Sequence, residues 1–158
     1  MTVIEHRQTP QRADMARRGA DTATNVAIGW TSLVAGALTG LVLGLWSFAG
    51  PFPVPDWIGA YDDLSRRLLR LGHIAFFGLG ILNIMLARHL GRPRARAPGA
   101  RLALGAMNFG NVALPLTLIA AAIHEPLKYL MTLPALAVTL ALVVAARAAI
   151  GEAQEPGR

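Results

Sequence analysis

The chain has 158 residues, 54% of them hydrophobic and only 15% charged, with a mean hydropathy of +0.45; soluble domains carry roughly 25% charge. A net charge of +6 and a pI of 11.3 would suit nucleic acid, but the arginines sit in tails and one loop at the ends of apolar runs. That placement points to lipid headgroups and topology instead, and the lack of cysteine excludes disulfide exchange, thiolate metal sites, covalent haem and S-palmitoylation.

The charges divide the chain. None lies between Asp21 and Asp56, Arg70 and Arg88, Arg101 and Glu125, or Lys128 and Arg147. Each gap suits a hydrocarbon core about 30 Å thick, whereas helices of a soluble protein carry charge along their exposed faces. The expected fold is therefore all-α: a four-helix transmembrane bundle with a membrane domain over 26–150.

Residues 1–25 form a polar tail containing Arg7, Arg12, Arg17 and Arg18, read here as mobile and cytoplasmic. The first span runs from about Val26 to Ala49. Pro51, Pro53 and Pro55 then remove backbone donors and favour extended chain. Asp62 or Asp63 can cap the next helix, where Leu64, Leu68 and Leu71 oppose Arg66, Arg67 and Arg70 in an interfacial turn. The second span covers about Leu71 to Leu90, closed by Gly91, and the third about Leu102 to Ile123. Pro126 suits the first turn of the fourth span, about 126–149. The short His124-Glu125 link makes spans three and four an antiparallel hairpin, and residues 151–158 form a second cytoplasmic tail.

Orientation follows from the basic residues. Arg7, Arg12, Arg17 and Arg18, the group Arg88, Arg92, Arg94, Arg96 and Arg101, and Arg147 and Arg158 fall on one side. Arg66, Arg67, Arg70 and Lys128 fall on the other, so both termini are expected inside. Arginine preferred over lysine fits a GC-rich bacterial genome, and hence a bacterial inner membrane.

Three groups of residues could carry function. Ser32, Gly36, Gly40 and Gly44 recur every four residues, a shallow groove into which another helix can pack. The groove serves either the chain's own helices or a membrane-protein partner or second copy. Asn83 and Asn111 are placed at one level near mid-bilayer, with Asn108 one turn from Asn111 and Pro115 one turn beyond. These amides act as interhelical glue, or line a polar pocket for a ligand or quinone. His73 opens span two and His124 closes span three, so both are expected at the outer face. Two imidazoles there could ligate a b-type haem, or could join Glu125 and Asp62 or Asp63 around a metal ion. His6 and His89 lie on the cytoplasmic side without companions.

No charged residue occupies a span centre, as an energy-coupled carrier would need, and no nucleotide loop or nucleophile motif is present. The leading expectation is a non-catalytic subunit or assembly factor of a larger membrane complex. A haem or quinone-linked redox protein comes second, and a small-solute permease third.

Overall fold

The computed structural model describes residues 3–47, 50–92 and 98–154, with side chains from Gly19 onward. Helix α1 spans Val3–Gly44, α2 Leu64–Leu90, α3 Ala100–Ile123 and α4 Thr132–Gln154. Among the described residues four segments are long and apolar enough to cross a membrane: Gly19–Gly44, Leu64–Leu90, Ala100–Ile123 and Glu125–Gln154.

Two elements differ from the sequence expectation. The backbone of α1 is helical from Val3, so the first helix begins well before Val26 and includes most of the polar segment. Its Arg, Ala, Met, Gln and Glu residues are strong helix formers, and helical backbone satisfies itself whether the side chains are polar or apolar. The fourth span opens with a 3-10 helix, Glu125–Met131, before α4 begins at Thr132. Pro126 sits in its first turn, where the missing N–H leaves no bond unmade. Helices α3 and α4 pack against each other across this turn.

The helices pack in chain order, α1 on α2, α2 on α3 and α3 on α4, with lesser contacts of α1 to α3 and of α4 to α2. Helices α2 and α3 thus form a central pair flanked by α1 and α4. One core cluster joins Leu79, Leu86, Leu90, Leu104, Met107 and Val138 of α2, α3 and α4. The other lies at the opposite end, where Leu68, Leu69, Leu118 and Ala122 receive Ile58 from a 3-10 helix, Asp56–Ile58. Ile58 is 1% exposed, so it anchors the α1–α2 loop over that end of the bundle.

Arginines complete the closure. Arg66 Nη2 donates to the Trp46 carbonyl at 2.9 Å, just beyond the end of α1. Arg70 donates to the Tyr61 carbonyl and lies 4.1 Å from the centre of the Tyr61 ring. Asp63 takes the N-cap position of α2 as expected, but its carboxylate accepts from the Ala60 N–H at 2.7 Å, holding the preceding turn instead of the helix.

Candidate functional site

The small residues of α1 face α2. A Cβ on Gly36 would lie 2.9 Å from the Phe77 ring, and one on Gly40 would lie 2.4 Å from His73 Cε1. Ser32 is buried, its Oγ 2.9 Å from the Phe76 carbonyl. Gly44 has open space around it. The face also runs further toward the N-terminus than the four-residue spacing indicated, through Gly29 and Asn25. Gly29 and Gly80 make a backbone contact: a Cβ on Gly29 would meet Gly80 O at 2.8 Å, and one on Gly80 would meet Gly29 O at 2.9 Å. Such approach is available only where both helices lack side chains.

Asn25 joins this contact to a ring of amides. Asn25 Nδ2 donates to Asn83 Oδ1 at 2.7 Å, Asn83 Nδ2 to Asn108 Oδ1 at 2.9 Å, and Asn108 Nδ2 back to Asn25 Oδ1 at 3.0 Å. The circuit closes through α1, α2 and α3. Asn25 also donates to the Leu104 carbonyl at 2.9 Å. Asn25 and Asn83 are 1% and 0% exposed, so their amides have no water to replace these bonds. At 1.5 Å per residue, the ring lies roughly 9–12 Å inward from the ends of the apolar segments at Gly19, Leu90 and Ala100.

Asn83 and Asn111, expected at one level near mid-bilayer, lie at different levels: Asn83 bonds Asn108 and Asn25, nearer one end of the bundle than its middle. Asn111 lies about one turn deeper on α3, its Oδ1 2.9 Å from Ser32 Oγ. One hydroxyl proton can serve only one of its two carbonyl neighbours, and Asn111 Nδ2 is buried without a partner. Turning the Asn111 amide over satisfies both demands: Ser32 donates to Phe76 O, and Asn111 Nδ2 donates to Ser32 Oγ.

The histidines go separate ways. His73 Nδ1 is 2.8 Å from the Gly36 carbonyl and therefore carries the proton in this bond. Thr39 Oγ1 is 3.4 Å from the same nitrogen, and the ring meets Phe77 edge-on at 5.3 Å. Every one of these contacts lies on α1 or on α2 itself. The cause is helical phase: Gly72 faces Ile119 and Pro115 of α3, so the next residue, about 100° around the axis, turns to α1. His124 ends α3 as an exposed residue in extended conformation. Glu125 is paired with Lys128 at 2.6 Å. Among the described residues no three His, Asp or Glu side chains gather as a metal site.

Chemically, an amide ring is neutral and exchanges no proton near neutral pH. It can position helices and present hydrogen bonds, and Asn108 is its partly exposed member. Asn25 and Asn108 open onto a cleft of about 390 Å³ between α1 and α3, whose lining includes Asp21, Arg101 and Gly105. Asn25 and Gly29 are the site residues that sequence reasoning missed. The spacing 25, 29, 32, 36, 40 runs in steps of four, three, four and four, and would have shown one continuous face.

The chain matches no protein-family model, no curated protein and no solved structure.

Proposed function

We propose that the protein is a non-catalytic subunit or assembly factor of a larger complex in a bacterial inner membrane, with both termini cytoplasmic. The observation that carries this reading is the use made of the polar residues inside the spans. Asn25, Asn83 and Asn108 bond one another, Ser32 and Asn111 bond each other, Thr39 bonds its own helix, and His73 bonds the Gly36 carbonyl. Groups so engaged hold helices in register.

The outer surface of α4 supports a partner. In the apolar segment containing α4, 11% of the most hydrophobic stretch is buried within the chain, against 17% for the α1 span and 44% for α2. Its exposed face includes Ala135, Thr139 and Ala146, small residues against which a transmembrane helix of another subunit can pack closely. Bulky apolar side chains are exposed on both outer helices, among them Trp30, Val34, Leu38 and Leu41 on α1 and Leu133, Leu136 and Leu140 on α4, and the small residues of α4 are set among them on one stripe with Leu142.

Photo-crosslinking tests this directly. A crosslinker at Ala135 or Thr139 should give one discrete protein adduct in intact membranes, and one at Leu38 should give lipid adducts only. Lipid adducts from all three positions would overturn the subunit reading, as would a Soret band in the gently purified protein. Reporter fusions within Arg92–Arg101 and near Gly59 should report opposite sides of the membrane, and the same side for both would reject the topology.

A further inference from the structure

Arg66, Arg67 and Arg70 stand at the end of the bundle expected to face outward and to be poor in basic residues. Two of them are fixed in place. The guanidinium carbons of Arg66 and Arg70 lie 5.5 and 4.1 Å from the centre of the Tyr61 ring, so one ring brings both charges together. Like charges four residues apart on a helix repel. Among the described residues neither guanidinium has a carboxylate within 4 Å. Asp63, three residues before Arg66, instead accepts from the Ala60 N–H. An arginine has five N–H donors. Each of these two uses one nitrogen, Nη2, on a backbone carbonyl, that of Trp46 for Arg66 and that of Tyr61 for Arg70. Two half-buried cations, held side by side with most of their donors unused, attract an anion.

Depth points to the source of that anion. Gly72 packs against Pro115 and Ile119 of the antiparallel α3. Arg70, two residues nearer the end of the bundle, is therefore about level with Ile119 to Ala121. At 1.5 Å per residue, this is roughly 3–6 Å inside the end of the apolar segment at Ile123. The stem of Arg70 thus starts beside hydrocarbon while its head bonds the Tyr61 carbonyl in the loop before α2, as arginines do at a membrane boundary.

We infer that Arg66 and Arg70, set on Tyr61, hold the phosphate of a membrane phospholipid whose headgroup carries no cation. The two free oxygens of a phosphodiester can accept from two guanidinium groups at once. A choline headgroup would bring its own cation against three arginines. The inference is independent of the subunit reading and requires only that the four helices lie in a bilayer.

Lipid retention is the test. The full chain is reconstituted in vesicles of equal parts phosphatidylglycerol and phosphatidylcholine, extracted in mild detergent, and the lipid that survives collisional heating is counted by native mass spectrometry. One phosphatidylglycerol should be retained, about tenfold over phosphatidylcholine. Arg66→Gln combined with Arg70→Gln should lose it. Arg92→Gln combined with Arg147→Gln removes the same charge from exposed residues at the opposite end and should keep it. Tyr61→Leu leaves every charge in place at a residue 56% exposed, and should lower retention several-fold, which keeps the inference testable if the double variant misfolds. Equal retention of the two lipids by the wild type would overturn the inference, as would retention unchanged in folded Tyr61→Leu or lost equally from both double variants. Release of the lipid by millimolar inorganic phosphate would assign the site to a free anion and overturn the assignment to a lipid.

Discussion

The interface of α1 with α2 and α3 and the interface of α4 with α3 solve one problem by different means. In a bilayer, apolar surface gains little by leaving lipid for another helix, so association rests on close packing and on hydrogen bonds. The first interface uses both, through the Gly29–Gly80 backbone contact, the Ser32–Asn111 pair and the amide ring. The second uses packing alone. A Cβ on Gly110 would meet Val138 Cγ2 at 2.3 Å and Pro134 O at 3.0 Å, and α4 otherwise buries only Pro134, Val138 and Ala141. Three helices are therefore locked in one register by directional bonds, and the fourth is held by shape.

The largest effect should follow from a side chain placed at the backbone contact. Gly29→Val would drive a Cβ to 2.5 Å from Ile84 Cγ1 and 2.8 Å from Gly80 O, a backbone atom that cannot step aside. Overpacking typically destabilises by about 1–3 kcal/mol, and this site should reach or exceed the upper end. Denaturant unfolding in micelles would read it, and wild-type stability would mean that α1 and α2 do not touch here.

Gly110→Ile should act more locally. It should separate α4 from α3 while leaving the amide ring intact, at about 1–3 kcal/mol. Protease accessibility of the Glu125–Met131 turn should rise with little change in protection of α1. Equal loosening of α1 and α4 would show that the two interfaces are not independent.

Asn83→Leu should be milder in energy but broader in consequence. It removes the bonds from Asn25 and to Asn108, each worth roughly 0.6–2 kcal/mol inside a membrane. The cost should appear as faster amide exchange in α1, α2 and α3 together. Exchange confined to α2 would contradict the ring. Smallest of all should be Lys128→Ala, because the Lys128–Glu125 pair is exposed and i,i+3 on one turn. Thermal melting should not move measurably.

The same contrast explains what could be read from sequence. The four spans are legible because charge is expensive in hydrocarbon, so the gaps between charges mark them directly. The stripe Ser32, Gly36 and Gly40 is legible because small residues at helical spacing have one geometric meaning. Asn25 was hidden by the same signal that found the spans: the charge of Asp21 drew the first boundary at Val26, and Asn25 fell into the polar tail. The orientation of His73 was illegible for another reason. A helical wheel orders residues around an axis but does not say which neighbour lies at which angle, and adjacency of α2 to both α1 and α3 leaves that choice to packing. The pairing of Asn83 with Asn108 instead of Asn111 depends on axial register, which the Gly29–Gly80 contact sets and residue counting does not.

A double-mutant cycle on Asn25 and Asn108 tests the central claim, that a closed amide ring ties α1, α2 and α3 together. Asn25→Ala, Asn108→Ala and the double variant are compared by reversible unfolding in micelles, with circular dichroism confirming helix content. The two single changes share the bond from Asn108 Nδ2 to Asn25 Oδ1, so the double variant should be less destabilised than their sum by about 0.6–2 kcal/mol. Additivity within about 0.3–0.5 kcal/mol would show that the two amides do not interact, and would contradict the ring.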